Sequence, residues 1–208
     1  MKDPAITHFP TAIQLEKLRV PKEKRIALIA GKMREILEIL GLDINDPSLA
    51  NSPEMVAKMY VEEIFSGLDP AHYPSITLQK QDLPSDEVIL IKNITLTSFC
   101  EHHFVPMNGF AHVAYIPKNH LIGLSKVHRI VRYFSKRPQL QERLTAQIAD
   151  SLSLLLQTED VAVYTSARHH CVISRGVEDA PSEIDMHVLR GVFQENQRRQ
   201  EFFSCIRK

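Results

Sequence analysis

Cys100 and His103 stand three residues apart in the run TSFCEHHF at 97–104. That C-x2-H spacing puts a thiolate and an imidazole within reach of one metal ion. Cys171, in ARHHC at 167–171, offers a third ligand from a distant strand. Three protein ligands with an open fourth position is the arrangement of a catalytic zinc, whereas a structural zinc closes all four. His102 and His169 flank the ligands, where general acids and bases are needed. A disulfide between Cys100 and Cys171 is the competing reading, and it leaves the histidines without a task. Three cysteines in 208 residues do not form the framework of a small secreted protein. Cys205, beside Phe202 and Phe203, reads as a packed helix residue.

A second set of residues suits anions. Lys126 and Arg129 fall in the first turns of a helix that Ser125 would cap, where free N–H groups and the dipole already favour phosphate. Arg175 follows Cys171 by four residues, and Lys58 lies on an earlier helix. Taken singly, each is a solvated surface cation. Glu142 opens a later helix, where a carboxylate favours the dipole. A carboxylate equally matches the adjacent N1–H and exocyclic amine donors of guanine. Lys and Arg total 25 and Asp and Glu total 25, so no global field attracts nucleic acid or an anionic membrane. The first residues lack an apolar signal core and no apolar run spans a bilayer, so a soluble cytoplasmic protein is expected.

The elements that must carry these groups follow from periodicity. Residues 1–20 are weakly patterned and suggest a mobile arm. Ile26, Ile29, Met33, Ile36 and Leu40 are at helical spacing over 22–40, with Gly41 as the stop. Asn51 or Ser52 caps a second helix with Pro53 in its first turn, running to Gly67, and 68–75 reads as loop. The period then changes to two. Residues 87–98 form a long β-branched strand that delivers the Cys100 motif, and 109–116 its antiparallel partner. Residues 125–135 and 139–156 are amphipathic helices. Strands are expected at 160–166, 172–174 and 184–192, and a closing helix at 196–206. Helices first, then two strand pairs bracketing a helix pair, make an α+β domain.

Several motifs together resemble type I GTP cyclohydrolase: TSFCEHHF at 97–104, IGLSKVHR at 122–129, RPQLQERL at 137–144 and HHCVISRG at 169–176, with AKMYVEEIFSGL at 57–68 similar to that family's N-terminal helix. The resemblance covers residues 22–208 in order. It implies a tunnelling fold, a four-stranded antiparallel sheet with two helices between its halves, over 81–208 after an N-terminal helical extension at 1–80. It also implies a homodecamer of two pentamers with active sites at subunit boundaries. The implied reaction converts GTP and water to 7,8-dihydroneopterin triphosphate and formate, the entry step of folate-type pterin synthesis. By the same match Cys100, His103 and Cys171 bind zinc (Zn2+). His169 would protonate the purine, His102 assist ribose opening, and Ser125 the later sugar rearrangement. Glu142 would anchor guanine with Gln141 in the same pocket, while Lys58, Lys126, Arg129 and Arg175 hold the triphosphate.

The chain departs from the family in two places. Met55 replaces the usual Arg, and the strand at 180–191 keeps Ser182 and Gly191 but replaces a Ser/Thr-rich run with Glu183, Asp185 and His187. Those carboxylates would oppose a triphosphate if they faced it. The departures define an alternative, a diverged paralogue that binds GTP or a pterin without turnover.

Overall fold

The structure, a computed structural model, describes residue 5, residues 7–80 and residues 86–207. It opens with helices α1 (Leu15–Leu18), α2 (Lys22–Ile39) and α3 (Ser52–Lys58). Gly41 ends α2 as its sequence indicates, with φ 85 and its N–H bonded to Glu38 O, a left-handed turn that suits a residue without Cβ. Neither Asn51 nor Ser52 makes the expected side-chain cap on α3, although Pro53 occupies the first turn. The helix runs on into a π-helical segment, Met59–Ile64. Two short 3-10 turns, Ser66–Leu68 and Pro70–His72, then stand where a featureless loop was expected.

From there the order is β1 (Leu78–Lys80), β2 (Ile89–Cys100), β3 (Pro106–Tyr115), β4 (His120–Ile122), α4 (Leu124–Ser135), β5 (Pro138–Gln139), α5 (Gln141–Leu156), β6 (Val161–His169), α6 (His170–Ile173), β7 (Ile184–Leu189) and α7 (Asn196–Ile206). β2, β3, β6 and β7 form the expected four-stranded antiparallel arrangement, in that order. The two-residue β5 adds a fifth strand parallel to β2, so α5 begins at Gln141 rather than at 139. β1 and β4 make a separate two-stranded antiparallel ribbon.

One sheet face is apolar and takes α4 and α5. Ile94, Leu96, Ala111, Val113 and Val163 of the strands meet Val127, Ile130, Val131 and Phe134 of α4 and Leu144, Ile148, Leu152 and Leu156 of α5. Burying one such large side chain contributes about 1.5–3 kcal/mol. α7 packs separately through Phe202, against Phe193, Ala114 and Ala162. At Gly109 the backbones of β3 and β6 approach so closely that a Cβ would overlap the Ser166 carbonyl. Among the described residues no helix is long and apolar enough to cross a membrane.

Four local expectations need correction. The N-terminal arm is docked where it is described: Gln147 donates to Phe9 O (2.7 Å) and to Thr11 Oγ1, and the His8 N–H donates to Asp150 (2.8 Å). Residues 172–174 are not a strand; β6 continues to His169, and the chain then turns into α6. The ladder stops there because Met107 pairs with His169, and the next residue of β3, Pro106, has no N–H to give. Gly123, not Ser125, is the N-cap of α4, and Ser125 lies inside the first turn. Cys205 is on a helix as expected, but it is exposed rather than packed.

Candidate metal centre and active site

The end of β2 folds back on itself within five residues. Phe104 N–H bonds to Cys100 O (2.8 Å) and Cys100 N–H bonds to Val105 O (2.9 Å). The turn needs Phe104 at φ 55, a left-handed conformation that costs a bulky residue about 1–2 kcal/mol. Edge-on contacts of its ring with Phe65 (5.4 Å between centroids) and Tyr60 (6.3 Å) hold it there. The result brings His103 Nδ1 to 3.8 Å from Cys100 Sγ.

Cys171 arrives from the other side, in the single turn of α6 that follows β6. Ligand atoms of Cys100, His103 and Cys171 all lie within 4.8 Å of one another. Sulfur and nitrogen ligands at about 2.3 and about 2.1 Å from one tetrahedral zinc stand roughly 3.6 Å apart, so a small contraction closes this set on an ion. Two thiolates and an imidazole are a donor set suited to zinc. All three cysteines of the chain are free, which disposes of the disulfide reading in this structure. Burial and the adjacent Cys100 push the Cys171 thiol up. A bound dication reverses that tendency, because it stabilises both thiolates.

His169 sits beside the three ligands and is oriented by Gln141. The Gln141 side-chain amide donates to Thr165 O (3.2 Å), Thr165 Oγ1 (3.1 Å) and Ile184 O (2.9 Å). With the NH2 group so committed, Oε1 is the atom that faces His169 Nε2, at 2.6 Å. His169 therefore carries its proton on Nε2 and leaves Nδ1 with a free lone pair. Burial lowers the His169 pKa, and the nearby Glu142 carboxylate partly offsets this. Gln141 was expected to line a guanine pocket; its amide here positions a histidine.

Arg175 reaches the centre directly, with Nη1 donating to His103 Nε2 at 3.0 Å. Glu101, between the two motif ligands, receives both arms of Arg143 (2.5 and 3.3 Å), which clamps the ligand loop to the start of α5. His102 is mostly exposed, its Nε2 3.9 Å from Glu101. Glu101, Arg143, Thr165 and Phe104 escaped the sequence reading, since pairs 42 and 24 residues apart leave no periodic trace.

Glu142 comes near His169, while the other remaining candidates lie elsewhere on this chain. Ser125 and Arg129 are exposed on α4, and Lys126 Nζ donates to Ser75 O (2.7 Å). Lys58 is on α3, paired with Glu54 at 2.7 Å, one turn from the exposed Met55. Glu142 is exposed in the first turn of α5. Among the described residues no hydrogen bond or ion pair joins Lys58, Ser125, Lys126, Arg129 or Glu142 to the three ligands.

The altered strand β7 keeps its carboxylates occupied. Ser166 Oγ donates to Glu183 (2.7 Å). Asp185 faces the Tyr164 phenol, whose pKa is pushed up to about 12 by burial and by that carboxylate. The His187 ring packs edge-on against Phe203 of α7 at 5.2 Å.

Comparison with known proteins agrees with this reading. A family model for GTP cyclohydrolase I matches residues 29–207. Proteins named GTP cyclohydrolase 1 from Salmonella gallinarum and Salmonella arizonae are each 52% identical over 186 residues, covering 89% of this chain and 84% of theirs. With this match running the length of the sheet domain and through all three candidate ligands, the chain belongs to the GTP cyclohydrolase I family.

Proposed function

We propose that this chain is a zinc-dependent GTP cyclohydrolase I, converting GTP and water to 7,8-dihydroneopterin triphosphate and formate. The observation that carries the reading is the Cys100–His103–Cys171 cluster with His169 fixed beside it, in a chain 52% identical to curated GTP cyclohydrolase 1. Zinc held by the three ligands would act as a Lewis acid and make water a nucleophile near neutral pH.

The chain's own residues account for the rest. His169, whose Nε2 is held as a donor by Gln141, takes up a proton at Nδ1 and passes it to the purine ring. We assign His102, exposed and next to the Glu101 carboxylate, to assistance at the ribose, and Ser125 to the later rearrangement. Glu142 pairs with the guanine N1–H and amine. Arg175, with Lys58, Lys126 and Arg129, binds the triphosphate and so supplies orientation from a remote part of the substrate.

These cations do not converge in one chain, which favours a site completed by other copies. Two further features support assembly. Among the described residues, β7 offers an outer edge, and β2 is paired on its second side only at Phe99 and Cys100. Leu28, Ile36, Ile39 and Leu40 are exposed around α2. We therefore propose a tunnelling-fold homodecamer of two pentamers, with 81–208 as the catalytic domain and 1–80 as a helical extension. Three free cysteines suit a reducing, cytoplasmic setting.

The test is anaerobic incubation of zinc-loaded protein with GTP, following formate and pterin fluorescence together. Both products are expected. Formate alone would place the fault in the sugar rearrangement. Tight GTP binding with neither product would overturn the enzyme reading in favour of a non-catalytic binding protein.

A further inference from the structure

The far half of α4 lines a cavity that the chemistry above touches through Arg129 and not through Arg132, Lys136 or His72. Arg129, Arg132 and Lys136 recur every three or four residues, so they share one face of the helix. The 3-10 segment opposite contributes Ser66, Gly67 and His72, and the space between is about 270 Å³. Among the described residues no carboxylate lines it. Among the described residues, the side chains of Arg129, Arg132 and Lys136 have no hydrogen-bond or ion-pair partner. That separates them from Arg143, Arg168, Arg175 and Arg190, each of which is engaged by another group of the protein.

Three unpartnered cations around one concavity repel each other until an anion enters. Burial lowers the Lys136 pKa and the adjacent Arg132 charge lowers it further, with Glu63 a smaller opposing influence. Guanidinium forks match the oxygens of phosphate in a bidentate way. The cavity is smaller than the about 300–1,000 Å³ of pockets that enclose drug-sized molecules, so it suits a phosphate group rather than a whole nucleoside. His72 is held at its rim by a bond from Nδ1 to Ser66 O (2.7 Å).

We propose that this cavity is a phosphate-anion site formed by Arg129, Arg132 and Lys136, with His72 at its rim. The phosphate has two possible sources, the tail of a nucleotide that also meets Arg129 in the active site, or a separate phosphorylated ligand. The site itself does not depend on turnover, so its test is independent of the proposed reaction.

The experiment is calorimetric titration of the zinc-loaded full chain with inorganic phosphate at constant ionic strength, beside R132Q/K136Q. Saturable binding to the wild type is expected, weakened about tenfold or more in the variant, as loss of charge-assisted bonds dictates. R132Q alone, at an exposed position, serves if the double variant does not fold. Unchanged phosphate affinity in the variant overturns the site, as does binding that chloride removes equally well. The KM for GTP then identifies the source: a rise parallel to the loss of phosphate affinity assigns the substrate tail, and an unchanged KM assigns a separate ligand.

Discussion

The metal end and the α4 face are built on opposite plans. At the metal end every candidate has a partner inside the chain: Cys100 with His103, His169 with Gln141, Glu101 with Arg143, Arg175 with His103. On α4 the cations stand on a helix surface, engaged only at Lys126 or not at all. Groups that must hold a reacting atom to within fractions of an ångström are preorganised by their neighbours. Groups that hold a flexible, highly charged tail are left open for what binds them.

The largest expected effect comes from breaking the metal end itself. Cys171→Ser should lower zinc content and cut formate release by at least about a thousandfold, since the nucleophile depends on the metal. A variant that keeps both zinc and activity would remove Cys171 from the ligand set. His169→Ala should cost about 10²–10⁴-fold in kcat with zinc retained. Gln141→Leu should reproduce about a tenth to a hundredth of normal kcat with KM for GTP little changed, if its task is to orient His169. A rise in KM alone would return Gln141 to the guanine pocket.

The contrast predicts complementation between copies. Mixing inactive Cys171→Ser with a Lys58→Ala/Arg129→Ala variant, after dissociation and reassembly, should recover part of the wild-type rate. No recovery would mean that each chain carries a whole site. The smallest effect concerns stability away from both regions. Burial alone would push the Asp150 carboxyl up, but the Arg190 guanidinium and the His8 N–H outweigh it and hold it below the usual carboxylate range. A depressed folded pKa adds stability above the unfolded value that is lost as pH falls through the folded one. Asp150→Ala should therefore lower stability by about 2–3 kcal/mol at neutral pH, with the difference shrinking below about pH 4. A gap in thermal midpoint that does not change with pH would show that the ion pair contributes little.

Most of the long elements could be read from pattern because burial imposes a strict period on them. β2, with its run of Ile, Thr and Leu, and α4, with Val127, Ile130, Val131 and Phe134 inward, are cases in point. The three ligands were legible because their residue types and spacing carry the chemistry themselves. What escaped was set by distant partners. The β1–β4 ribbon has three residues per strand, too few for a period to show. The docking of residues 7–11 rests on Gln147 and Asp150, two of the buried polar groups of α5. Residues 172–174 looked extended from Val172 and Ile173, but the ladder had already ended at Pro106. The role of Gln141 depends on Thr165 and Ile184, which nothing local could indicate.

The placement of the two ligand cysteines on β2 and after β6 has a consequence in time. A chain made at about 5–20 residues per second presents Cys100 to the cell several seconds before Cys171 exists. β3 must lie between β2 and β6 before the two thiols meet. During synthesis Cys100 is thus a solitary thiol, open to whatever oxidant or stray metal is at hand. A metal held by all three residues can be taken up only after β6 has joined the sheet, so its fidelity would depend on the reducing power and metal supply present at that late stage.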